Sequence, residues 1–80
     1  MDTYSVITSK FSKGSIIHHS DRNHFYKLMY RTLVKNEQPI GKSWIEGWAY
    51  QQCNSNGEII SEEVFTRPTS LFDGDWTFIK

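Results

Sequence analysis

The dipeptide Asn56-Gly57 is the feature that most constrains what this chain can fold into. It stands between two runs rich in aromatic and β-branched residues, which together span residues 44–67. Such runs favour β-strands, and Asn-Gly favours a two-residue type I′ turn because both central residues of that turn need a positive φ. The sequence therefore predicts a central β-hairpin.

A two-residue turn also fixes the register of that hairpin. It places these residues opposite each other: Ser55 and Glu58, Cys53 and Ile60, Ala49 and Val64, Trp48 and Phe65, and Glu46 and Arg67. The last three are an apolar, an aromatic and an opposite-charge pair, and each such pair contributes about 0.2–1 kcal/mol in a sheet. The side-chain chemistry supports this register.

Further strands are predicted on both sides of the hairpin. Residues 3–11 alternate apolar with hydroxyl side chains, and Lys13-Gly14 favours a turn into a short returning strand over 15–18. At the other end, Asp73-Gly74-Asp75 indicates a turn into a final strand over 76–79.

The segment from 21 to 36 fits both a helix and a strand. A helix would begin at Ser20 or Asp21 and carry its cations as one polar stripe. It would bury four apolar side chains, namely Phe25, Leu28, Met29 and Leu33. A strand would bury a different row, namely Tyr26, Leu28, Tyr30, Thr32 and Val34.

We favour the helix over 21–36 because the strand leaves three apolar side chains on the charged face and leaves the sheet without a helix to cover it. The predicted fold is a small α+β domain, with an antiparallel sheet of about four to five strands and this one helix. An all-β meander or small barrel is the alternative.

Length and composition bound the class of protein. Eighty residues make one compact domain over 1–80, and the 15% of aromatic residues can supply its core. Cys53 is the single cysteine, which excludes an intramolecular disulfide and suits a reducing, cytoplasmic compartment. We expect no membrane insertion, since no apolar run approaches the roughly 20 residues of a span.

No catalytic, metal or cofactor motif is recognisable. His18, His19 and His24 are close in sequence but lack the helical spacing of a zinc site. Cys53 has no basic neighbour in sequence that would activate it as a nucleophile. The glycines form no nucleotide-binding loop, and Asp73-Gly74-Asp75 matches a calcium loop in two positions only. We predict a protein that is not an enzyme and uses no cofactor.

The charge is distributed unevenly along the chain. Residues 1–42 carry seven basic and three acidic side chains, whereas residues 43–80 carry two basic and six acidic ones. Aromatic anchors dominate the binding energy of protein interfaces, and charges at the rim mainly affect the association rate. The predicted partner-binding residues are therefore aromatic and acidic residues of the second half: Trp44, Glu62, Glu63, Asp73, Asp75 and Trp76.

By elimination, the sequence predicts a small non-catalytic domain that binds another protein. The specific form we expect is a phage or mobile-element inhibitor of a host enzyme or defence complex, of the anti-CRISPR or host-takeover type. The alternative is a small regulator that binds nucleic acid through basic residues of the first half. Those residues are Lys10, Lys13, Lys27, Arg31 and Lys35.

Overall fold

The computed structural model describes residues 8–35 and 44–80, which form one antiparallel five-stranded sheet. The strands are β1 (Ile16–His19), β2 (His24–Lys35), β3 (Trp44–Cys53), β4 (Ile59–Pro68) and β5 (Trp76–Phe78), and a short 3-10 helix, Thr69–Leu71, precedes β5. Their order across the sheet is β4-β3-β2-β1-β5. The first four strands form a meander, after which the chain crosses to the opposite edge and β5 pairs with β1.

The predicted α+β class is wrong, and the all-β alternative is the observed one. The segment predicted as a helix over 21–36 contains β2, the central strand, which pairs with β1 on one side and β3 on the other. Aromatic and β-branched residues suit such a doubly paired strand. The cover that a helix was expected to give the sheet comes instead from aromatic side chains, among them Phe11 and Phe72.

A β-bulge at Met29 interrupts the alternation of β2. Leu28 pairs with Tyr50, but beyond the shift Arg31 pairs with Trp48. Directly paired residues share a face, and Tyr50 and Trp48 are two positions apart on β3. The extra residue therefore brings Arg31 to the same face as Leu28, although the two are three positions apart in sequence.

This change of phase explains the burial of the four side chains that the helix would have covered. Leu28 is fully buried, whereas Phe25 and Met29 are half-buried and Leu33 is 63% exposed. Leu33 lies on the core face of the sheet but beyond the aromatic cluster. Neither a helical nor a strictly alternating pattern describes the whole of β2.

The central hairpin is confirmed, but its turn has three residues and not two. The N–H of Asn54 donates to the carbonyl of Glu58 at 2.9 Å, and the N–H of Gly57 donates to the carbonyl of Asn54 at 2.9 Å. Gly57 has a φ of 87°, whereas Asn56 does not have a positive φ. The side-chain Oδ1 of Asn54 accepts from the N–H groups of Asn56 and Glu58, which stabilises the longer loop.

A second irregularity, in β4, moves the register further from the prediction. Cys53 pairs with Ile59 while Gln51 pairs with Val64, so residues 60–63 bulge away from β3. The Gln51 amide donates to the carbonyl oxygens of Ser61 and Glu62, at 3.2 and 3.4 Å, and so holds the bulge. Beyond it, the observed pairs are Tyr50 with Phe65, Ala49 with Thr66, and Trp48 with Arg67. The predicted pairing of Trp48 with Phe65 is wrong by two residues.

The core lies on one face of the sheet and is mainly aromatic. Its buried members are Ile17, Tyr26, Leu28, Trp48, Tyr50, Phe72 and Trp76. The ring of Phe72 packs edge-to-face on Trp76 and on Phe11, with centroids 5.1 and 5.2 Å apart. Edge-to-face pairs add about 0.5–1.5 kcal/mol beyond their buried area. These rings replace a second layer of secondary structure.

The N-terminal hairpin is only partly as predicted. Residues 3–7 of its first strand lie outside the described residues, and Thr8–Phe11 is a turn, in which the N–H of Phe11 donates to the carbonyl of Thr8. The returning strand is confirmed as β1, but the partners of β1 are β2 and β5. The predicted final strand is confirmed as β5.

Gly47 lies where β2 and β4 approach β3 closely, and its replacement tests that packing. A Cβ there would lie 2.5 Å from the backbone oxygen of Arg67 and 2.7 Å from Val34 Cγ2. We expect Gly47→Ala to lower the free energy of unfolding, measured by urea denaturation, by about 1–3 kcal/mol. Gly74→Ala is the matched control, since nothing lies within 4 Å of its added Cβ. Equal stability of the two variants would show that β3 has room at Gly47.

Candidate functional site

The strand β4 (Ile59–Pro68) forms one edge of the sheet. Its hydrogen-bonded neighbour is β3, and no described strand pairs with its outer side. Among the described residues, four of the nine exposed large hydrophobic side chains lie on this strand, each 41–57% exposed: Ile59, Ile60, Val64 and Phe65. A long exposed apolar edge strand is a template for pairing with another chain. We call the ten residues of this strand, Ile59–Pro68, the β4 edge.

Two carboxylates lie in the middle of the β4 edge. Glu62 and Glu63 are both exposed, and neither forms an ion pair with any described residue. The neighbouring Glu58 is different, because its Oε1 accepts a hydrogen bond from Asn54 Nδ2 at 2.8 Å and so belongs to the turn. The β4 edge therefore combines apolar side chains with two negative charges that no cation of the described residues pairs with.

The two tryptophans predicted as anchors have different environments. Trp44 is 53% exposed, and Lys35 Nζ lies 5.4 Å from the centre of its ring. Trp44 is the first residue of β3. The pairing of β3 with β4 ends at Gly47, which lies opposite the last residue of β4, so Trp44 lies outside the β4 edge. Trp76 is 1% exposed and belongs to the core. Trp44 is accessible to a partner and Trp76 is not.

The four predicted acidic residues do not lie together along the sheet. Asp73 and Asp75 precede β5, whose place in the strand order is at the edge opposite β4. The Oδ1 of Asp73 accepts from the N–H of Asp75 at 3.2 Å, and its carbonyl accepts from the N–H of Trp76 at 3.0 Å. Both contacts stabilise the turn before β5, so the role of Asp73 is structural.

The predicted basic stripe is divided between the two faces of the sheet. Lys27 pairs with Gln51, on the face opposite the core. Because of the bulge at Met29, Arg31 and Lys35 lie on the core face instead. Arg31 forms a salt bridge with Glu46, and Lys35 covers the ring of Trp44. These three cations do not form one surface.

The remaining predicted cations lie in the segment before β1. Lys10 Nζ is 5.8 Å from the centre of the Phe78 ring, and Lys13 is exposed in the turn with Gly14. The five basic residues proposed for nucleic-acid binding are thus distributed over several parts of the domain. Their positions do not match a continuous backbone-tracking groove.

The thiol and the histidines have structural contacts. Cys53 is 2% exposed, and burial raises the pKa of its thiol, while the positive charge of Lys27 lowers it in smaller measure. His18 Nε2 lies 3.1 Å from Asn23 Oδ1, and His19 Nδ1 accepts from the N–H of Arg22 at 3.3 Å. Within 8–35 and 44–80, no group of three histidine, cysteine or acidic side chains is placed to hold a metal.

The apolar residues of the β4 edge were missed by the sequence analysis, although the sequence carries a signal for them. Ile59-Ile60 and Glu62-Glu63 are pairs of like residues in adjacent positions. Adjacent like residues break the alternation of a regular strand, and an irregular strand indicates a bulge or an edge.

Comparison with known proteins adds no assignment. No protein-family model matches the chain, and no curated protein or solved structure is significantly similar to it. The described part of the chain contains no helix long and apolar enough to cross a membrane. Function is therefore inferred from the surfaces of the domain.

Proposed function

We propose that this protein is a small non-catalytic domain that binds another protein through the β4 edge. The observation that carries the proposal is the concentration on one edge strand of exposed apolar side chains and of two carboxylates without an ion pair in 8–35 and 44–80. An extended segment can add to such an edge by main-chain hydrogen bonds, while its alternate side chains provide specificity.

The charge of the β4 edge selects the chemistry of the partner. An extended segment that carries both apolar and basic side chains would contact Val64 and place positive charge near Glu62 and Glu63. A second copy of this chain is a poorer occupant, because antiparallel pairing would bring the central carboxylates of two β4 strands close together. Like charges across strands are destabilising, and charged residues protect natural edges from self-association.

The finer forms of this function stay predictions. They are that the partner belongs to a host enzyme or defence complex, and that the protein acts in the cytoplasm. The basic stripe supports no second candidate here, since its residues are separated by the fold.

A designed peptide tests the binding mode directly. The probe is an end-capped peptide of about seven alternating lysine and valine residues, long enough to cover a typical strand. Binding is followed by amide chemical shifts of the protein. We expect the largest shifts in β4, and affinity at least about tenfold weaker for a glutamate–valine peptide. A lysine–valine peptide methylated on every backbone nitrogen should not bind, because it has no backbone N–H group to donate to β4.

Protein variants separate charge selection from non-specific attraction. Glu62→Lys with Glu63→Lys should reverse the preference, so that the glutamate–valine peptide binds better. Lys27→Glu with Arg31→Glu, a double charge change outside the β4 edge, should leave the preference unchanged. Shifts centred outside β4, or an unaltered preference in the Glu62 and Glu63 variant, would contradict the proposal.

A further inference from the structure

A second surface lies on the core face, where β2, β3 and β4 form a concave groove of about 470 Å³. We call it the concave groove. Its principal lining side chains are Arg22, Tyr26, Tyr50, Gln52, Phe65 and Arg67. Strand pairing explains their convergence, since Tyr26 pairs with Gln52 and Tyr50 pairs with Phe65. The volume falls within the range of small-molecule sites, about 300–1,000 Å³.

Three aromatic rings form one wall of the concave groove. Tyr26 and Tyr50 are nearly buried and pack edge-to-face, with centroids 5.4 Å apart. The Phe65 ring lies 5.7 Å from that of Tyr50 and is tilted by only 34° from it. Phe65 is 41% exposed, so the tyrosines fix its position while part of its ring stays open to solvent. A planar ligand ring can stack there.

Arg67 places a half-buried positive charge beside these rings. Its Nε donates to Tyr50 Oη and its Nη1 to the carbonyl of Leu71, both at 3.3 Å. The guanidinium carbon lies 5.3 Å from the centre of the Trp76 ring. No described carboxylate lies within ion-pair distance of Arg67, although Arg31 has such a partner in Glu46. The rings and neutral oxygens orient the guanidinium, and its charge has no counter-charge in the part of the chain that the structure describes.

Arg22 adds a second cation to the same groove, again without an ion pair among the described residues. Among the described residues that line the groove, none is acidic. Arginine forks bind phosphate through paired hydrogen bonds, and a partly desolvated cation favours an anion. The groove therefore offers an anion site next to a stacking surface.

We infer that the concave groove binds a nucleotide, with the phosphate at Arg22 and Arg67 and the base on Phe65. The half-buried Gln52 amide, which faces the same groove, can donate to and accept from the edge of a base. A phenyl ring would leave that amide unpaired, so a nucleotide fits better than a phosphorylated tyrosine side chain. The nucleotide can be free or part of a single strand. This site uses the core-face side chains of Phe65 and Arg67 on β4 and not the pairing of the outer side of that strand, so it does not require the β4 edge proposal.

Titration of the intact protein tests the inference. The probes are AMP, adenosine, inorganic phosphate and a single-stranded DNA of about ten nucleotides. Binding is followed by amide chemical shifts and calorimetry. We expect AMP to bind at least about tenfold more tightly than adenosine or phosphate alone, with shifts at Gln52 and Phe65. If the DNA binds more tightly than AMP and its affinity falls steeply with salt, the natural ligand is a single strand. If the DNA and AMP bind with equal affinity, the ligand is a free nucleotide.

Two variants at exposed residues test the site without unfolding the domain. Arg22 is exposed, so Arg22→Gln should leave the fold intact and weaken AMP binding about tenfold. Phe65→Ala should weaken it by a similar factor through lost stacking. Arg31→Gln removes a cation outside the groove and should change nothing.

Several results would overturn the inference. The first is that neither AMP nor the DNA binds at millimolar concentration. The second is that phosphate alone binds as tightly as AMP, and the third is that an oligoglutamate peptide does so. Unchanged affinity in both Arg22→Gln and Phe65→Ala would also overturn it.

Discussion

Trp76→Ala should destabilise the domain by about 3–5 kcal/mol, the largest effect that we expect from any single substitution. Trp76 is 1% exposed, and its ring lies 5.1–5.7 Å from those of Tyr26, Tyr50 and Phe72. Removing the indole leaves a cavity at the centre of the aromatic layer that covers the sheet. For a domain of this length, the loss is comparable to the whole stability, about 4–12 kcal/mol.

Urea unfolding followed by far-ultraviolet circular dichroism checks this prediction, with Trp44→Ala as the matched control. Trp44 is exposed, and Lys35 is the one described cation that contacts its ring, so we expect a loss below about 1 kcal/mol. Similar losses for both variants would contradict the placement of Trp76 in the core. Trp76→Phe, which keeps part of the ring volume, gives a measurable value if the alanine variant is unfolded.

Leu28→Ala should cost about 2–5 kcal/mol, whereas Leu33→Ala should change the stability by no more than about 0.5 kcal/mol. Leu28 is completely buried in the core cluster, whereas Leu33 is 63% exposed. A helix over 21–36 would have placed both leucines on one apolar face and made both substitutions costly. The difference between the two unfolding free energies therefore distinguishes the strand from the helix. Equal and large losses of unfolding free energy in the two variants would contradict the strand and support the helix.

The hairpin could be predicted from the sequence because its signal is local. Asn56-Gly57 needs only its own φ preferences to favour a turn. The register could not be predicted in the same way, because it depends on two side chains that bind the backbone. Asn54 extends the loop to three residues, and Gln51 holds the bulge in β4. Such bonds are invisible in a pattern of apolar and polar residues.

The error at β2 has a related cause. A bulge inserts one residue, so that positions on one face become separated by three instead of two, and a separation of three also suits a helix. Tertiary pairing with both β1 and β3 decides between them, and no local pattern contains that information.

The candidate site was predicted in part. Glu62 and Glu63, which the sequence predicts to bind a partner, are exposed on β4, and Trp44 is exposed as well. The burial of Trp76 was missed because it results from the crossing of the chain between β4 and β5. That connection turns the last strand toward β1, a partner distant in sequence.

The pairing of β5 with β1 also determines when the fold can be completed. Ile17 on β1 lies opposite Phe78 on β5, so this contact closes a loop that includes most of the described chain. Closing long loops costs chain entropy, and sheets with many distant contacts fold slowly, in milliseconds to seconds. During synthesis, the aromatic face of the meander stays uncovered until Trp76 leaves the ribosome. Until then, the nascent meander exposes apolar surface that chaperones and proteases recognise.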